Sequence, residues 1–72
     1  ASNAPDKAEQ QYQQALAVQP TGASALLGLG RVLFSRGNTA DAIATFQKVV
    51  AAHPGTPQAT EAATFIAELT KR

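Results

Sequence analysis

Two stretches of this chain, 34 residues apart, carry the same order of side chains. The offset pairs Pro20 with Pro54, Ala8 with Ala42, Tyr12 with Phe46, Gln13 with Gln47, Ala15 with Val49 and Ala17 with Ala51. Small residue, aromatic residue, small residue and proline thus recur in register. Self-similarity at a fixed offset of this length marks a supersecondary unit that cannot bury its apolar face alone and stacks on a copy of itself. The order is that of a repeat, and a repeat restricts the fold more than any single residue does.

Glycine and proline divide the chain into four runs of about 13 to 15 residues, too long for typical strands and ordinary for helices. The first runs from Pro5 to Val18 and ends at Pro20, Thr21 and Gly22. The second runs from Ala23 to Arg36 and ends at Gly37 and Asn38. The third runs from Ala40 to Ala52 and ends at His53, Pro54 and Gly55, and the fourth from Pro57 to Thr70. Leu26, Leu29, Val32 and Leu33 recur at helical intervals, as do Ala42, Ile43, Phe46, Val49 and Val50. Strict period-two alternation is absent, so the predicted class is all-α. Thr56 is placed to cap a helix whose first turn holds Pro57, where the missing N–H costs nothing. Asn38 or Thr39 is expected to cap the third helix, with Asp41 in its first turn favoured by the helix dipole. Gly37 suits a left-handed helix stop, and Lys71 and Arg72 complement the negative end of the last helix. Links of two to four residues make neighbouring helices antiparallel.

Read in this way, the second and third helices resemble one complete tetratricopeptide repeat. The signature is Leu26-x-x-Leu29-Gly30-x-x-Leu33, then Ala42-x-x-x-Phe46, then Pro54, with leucines where that family usually has Trp and Tyr. The first helix resembles the second half of a preceding unit through Ala8, Tyr12, Ala15 and Pro20. The resemblance implies an α-α superhelix of helical hairpins, here four antiparallel helices. Residues 1–4 are set aside because Ser2-Asn3-Ala4 resembles a cloning scar. Residues 5–20 form the second helix of a preceding unit, 21–54 one complete unit and 55–72 a capping helix. In that last helix Thr60, Ala63, Thr64 and Ala67 stand where the family has Trp, Leu, Gly and Tyr. A stripe of Ala59, Ala62, Ala63, Ile66 and Leu69 is expected to pack backward, while Thr60, Glu61, Thr64 and Glu68 meet water, as a terminal cap requires. Gly30 is expected to let a helix carrying Ala42 approach closely, and Phe46 to fill the space between units.

The same resemblance implies a concave face lined by the first helix of each unit, which binds an extended peptide or a partner helix. Its positions here are Ser24, Leu27, Arg31, Phe34 and Ser35, and in the last helix Glu61, Phe65 and Glu68. Leu27 and Phe34 would take apolar side chains and Arg31 a carboxylate, unless a neighbouring unit packs on the two apolar residues. Some members of the family hold acidic chaperone tails in a clamp of Lys, Asn and Arg. Leu27, Gly28, Arg31, Gln58 and Ala62 occupy the matching positions, so that clamp is absent.

Composition narrows the remaining classes. At 72 residues the chain has only a thin core to bury. It has no cysteine for disulfides or thiolate metal sites. Six Lys and Arg against five Asp and Glu, with one Tyr among four aromatic residues, are too few and too balanced for a nucleic-acid partner. No apolar run reaches the roughly 20 residues that span a bilayer, and no basic stretch followed by an apolar run marks a signal peptide. His53 is the only histidine, expected in solvent beside Pro54 rather than on a metal. Gly28-Leu29-Gly30 lies inside a helix and lacks the strand of a phosphate loop. No Ser, His and acid constellation suggests a catalytic residue. The expected protein is therefore not an enzyme, uses no cofactor or metal, and binds a protein or peptide. Self-association through the open first helix, giving a homo-oligomer, is the alternative. Many Ala, Gln and Thr with few charges look bacterial and lean towards an exported or envelope protein, with the cytoplasm close behind.

Overall fold

A computed structural model describes residues 4–71, and within them the chain forms four helices and no strand. They are α1 (Ala4–Val18), α2 (Ala23–Ser35), α3 (Thr39–Ala52) and α4 (Pro57–Thr70). Of the end expected at residues 1–4, residues 1–3 lie outside the described residues, as does Arg72. Ala4 does not belong to an irregular end, since it opens α1.

The helix ends follow from local chemistry, with two departures from expectation. α2 stops at Ser35 rather than Arg36. Gly37 takes φ +83°, its N–H bonds the Phe34 carbonyl at 2.9 Å, and the Asn38 N–H bonds the Leu33 carbonyl at 2.9 Å. This is the Schellman arrangement, which needs a residue without a Cβ at the left-handed position. Asn38 then occupies the N-cap position of α3 without a side-chain cap bond. Its φ/ψ of −86°/64° is set by its part in closing α2 and is not the extended geometry from which a cap side chain reaches the first turn. The cap on α4 forms as expected. Thr56 has φ/ψ of −94°/160°, its Oγ1 accepts the Ala59 N–H at 3.1 Å, and its hydroxyl donates to the His53 carbonyl at 2.7 Å.

Packing is sequential and thin, with extents of 36 × 32 × 15 Å. Among the described residues α1 touches α2 alone, whereas α2 also touches α3 and α4, and α3 touches α4. The core joins Leu26 and Leu27 of α2, Ala42, Phe46 and Val49 of α3, and Ala62 and Leu69 of α4. Phe46 and Val49 are fully buried. Phe46 fills the notch at Gly30: a Cβ there would lie 2.6 Å from the Phe46 ring. The other side of that ring stacks on Phe65 of α4, with centroids 4.8 Å apart and planes 7° from parallel. Tyr12 of α1 occupies a second notch, at Gly28, where a Cβ would lie 2.2 Å from its ring. Of the stripe expected to hold α4, Ala59, Ala62 and Leu69 are buried and Ile66 is half-buried, while Ala63 is exposed at the edge of the contact.

Buried polar atoms are satisfied within this frame. Thr45, 7% exposed, donates its hydroxyl to the Asp41 carbonyl at 2.8 Å, one turn back on the same helix. His53 sits in the turn before Pro54, half-buried, and its Nε2 donates to the Thr21 carbonyl. The link between α1 and α2 is thereby tied to the link between α3 and α4.

Candidate functional site

Helix α2 is held on several sides, which leaves it a narrow outward stripe. Ser24, Arg31 and Ser35 stand on that stripe, at spacings of seven and four residues, and all three are exposed. Phe34 borders it and is 36% exposed. Ser35 uses its hydroxyl to donate to the Val32 carbonyl at 2.8 Å. Among the described residues Arg31 has no ion-pair or hydrogen-bond partner. Its guanidinium therefore stands in water with all of its donors available.

Leu27 does not join this surface. It is 8% exposed and belongs to the core cluster, because α4 packs directly on α2. A partner finds no apolar side chain there. Phe65 is half-buried, with one face of its ring on Phe46. Glu61 and Glu68 of α4 are exposed on either side of it. The 34-residue repeat places Glu61, Phe65 and Glu68 where α2 carries Leu27, Arg31 and Phe34. The face shared by the two helices therefore combines one cation, two carboxylates and two partly covered aromatic rings.

Three contacts near this face have no local sequence signal. Arg36 Nη1 lies 2.5 Å from Glu9 Oε1 and bridges α2 to α1, and Glu9 also accepts from Gln13 Nε2 at 3.2 Å. Residues 27 positions apart give no pattern from which such a pair is read. Gly28, in sequence part of a glycine-rich dipeptide spacing, serves as the seat of Tyr12. His53 reaches Thr21 across 32 residues. The two contacts involving α1 hold it on α2 and leave the outward stripe of α2 open.

Among the described residues no group of three or more His, Cys, Asp or Glu is placed to hold a metal ion. No described helix is long and apolar enough to cross a membrane. A family model described as Tetratricopeptide repeat matches residues 1–57, which take in α1 to α3 and the first residue of α4. No curated protein and no solved structure matches the chain significantly.

Proposed function

The chain belongs to the tetratricopeptide repeat family, and from that membership we propose that it holds a peptide or a partner subunit on the outward face of α2 and α4. Repeats of this kind are in general non-catalytic scaffolds for protein–protein interaction. The observation that carries the reading is Arg31, an exposed cation with no partner among the described residues, beside the partly exposed ring of Phe34. Arginine and aromatic residues are the side chains that most often dominate binding energy, because each combines large contact area with directional recognition. Arg31 presents a planar fork to a carboxylate, and Phe34 takes an apolar side chain close to it. Ser24 lies one heptad before Arg31 on the same stripe, with Ser35 one turn after it. Glu61 and the half-buried Phe65 stand on the neighbouring helix. Leu27 supports this face from below without touching the partner.

Panning a random peptide display library on the 72-residue chain supplies a ligand with which to test this. Arg31→Ala and Phe34→Ala are each expected to weaken the selected peptide about tenfold or more, on the scale of a binding hot spot. Both positions are exposed, so far-UV circular dichroism is expected to be unchanged. Affinity that survives both substitutions places the binding face elsewhere.

A further inference from the structure

We propose that the α2–α4 face seats a partner helix that carries a basic residue at i and at i+7 and an acidic residue at i+4. The inference rests on the reading of that face as the binding surface, and it names the chemistry of the occupant.

Charge on this face is divided between its two helices. Arg31 stands on α2, Glu61 and Glu68 stand on α4, and all three are exposed. Among the described residues none of the three has an ion-pair partner. One cation and two carboxylates give the face a net −1, although the chain as a whole carries +1. Its charge is therefore a local feature and not the average of the surface. The two carboxylates are seven residues apart, about 10.5 Å along a helix axis. α2 and α4 touch, and they run in the same direction because each is antiparallel to α3. The repeat sets Arg31 level with Phe65, midway between the two carboxylates.

An occupant that answers these charges needs two cations about 10 Å apart on its α4 side and one carboxylate between them on its α2 side. A helix resting equally on two neighbouring helices meets them about 60° apart around its own axis, as at the corner of an equilateral triangle of axes. In that helix i and i+7 are about 10.5 Å apart and within about 20° of one face, and i+4 is turned about 40–60° from them. Both conditions are met. An extended strand places residues of one side about 7 or 13 Å apart and misses the spacing. A polyproline-type segment matches the length at i and i+3, but its intervening residues point about 120° away, too far round to face Arg31. A second copy of the chain answers less well, because its α2 brings one cation, Arg31, and its α4 brings none. One of the two carboxylates would then stay unpaired in each copy.

The test titrates the isotope-labelled 72-residue chain with a helical peptide built on alanine and leucine, with Lys at i and i+7 and Glu at i+4, followed by amide chemical shifts. Saturable shifts are expected at Arg31, Phe34, Glu61, Phe65 and Glu68, with affinity falling as salt rises. A peptide with all three charges reversed, and one with its lysines three residues apart, are each expected to bind about tenfold more weakly. In a chain carrying Arg31→Glu, Glu61→Lys and Glu68→Lys the preference is expected to invert, so that the reversed peptide binds better. All three positions are exposed, so helicity is expected to be unchanged. Four results would overturn the inference. They are no saturable shift, equal binding of the original and reversed peptides, equal binding at the shorter spacing, and self-association of the chain alone that Arg31→Ala abolishes. If a library-selected peptide still shifts these residues in such a case, the inference alone falls. If that peptide also ignores Arg31→Ala and Phe34→Ala, the reading of the face falls with it.

Discussion

Replacing Gly30 by alanine sets two effects of opposite sign against each other. Glycine inside a helix is about 1 kcal/mol less favourable than alanine, so by propensity alone the substitution stabilises α2. The added Cβ, however, would lie 2.6, 2.7 and 3.0 Å from three atoms of the Phe46 ring. Phe46 has no exposed surface into which to turn, and Phe65 is stacked on its other side. Relief requires α2 and α3 to separate or the stacked rings to tilt, and overpacking of this kind costs about 1–3 kcal/mol. The net expectation is a loss of about 1 kcal/mol, a fall in Tm of about 4–8 °C for a domain of this size. Gly28→Ala provides the contrast. Its Cβ would lie 2.2 Å from the Tyr12 ring, a closer contact, but Tyr12 is only half-buried and can swing outward. That variant is expected near neutral. Urea denaturation followed by circular dichroism measures both, and a Phe46→Leu background isolates the cause, because the cost of Gly30→Ala is expected to vanish there. If Gly30→Ala raises stability by the full propensity gain, the Phe46 ring is not what keeps position 30 without a side chain.

Further expectations follow from the helix ends and the α1 contact. Thr56→Ala removes the acceptor for the Ala59 N–H and is expected to lose about 1 kcal/mol in the same denaturation assay, whereas Thr56→Ser retains most of it. Gly37→Ala is expected to lose about 1–2 kcal/mol through its φ of +83° alone, because no atom lies within 4 Å of the added Cβ. Gly37→Asn is expected to recover part of that loss, since asparagine enters the left-handed region more readily. Glu9→Gln is expected to lower stability by less than about 1 kcal/mol, with the difference shrinking in high salt. The Arg36–Glu9 pair is partly solvated, with side chains 30% and 21% exposed.

The four helices were legible in the sequence because their signals are local. Apolar spacing is read within a few turns, and Pro57, Thr56, Gly37 and Gly55 act through the backbone geometry of their own segments. The unused cap at Asn38 shows the limit of such reading. A residue that closes one helix and opens the next cannot serve both geometries, and three link residues leave no slack. The candidate face was legible only in part. The helical period placed Ser24, Arg31, Phe34 and Ser35 together, but it placed Leu27 with them.

The chain alone therefore determined the type of fold, its repeat length and which helices pair, because periodicity and turn chemistry depend on residues close in sequence. Tertiary structure decided how much of each side chain remains for a partner. It gave Leu27 to the core, set the Phe46 ring against Gly30 and carried His53 to Thr21. Burial depends on which distant helix arrives at a given surface, and at what distance, which residue spacing within one helix does not encode.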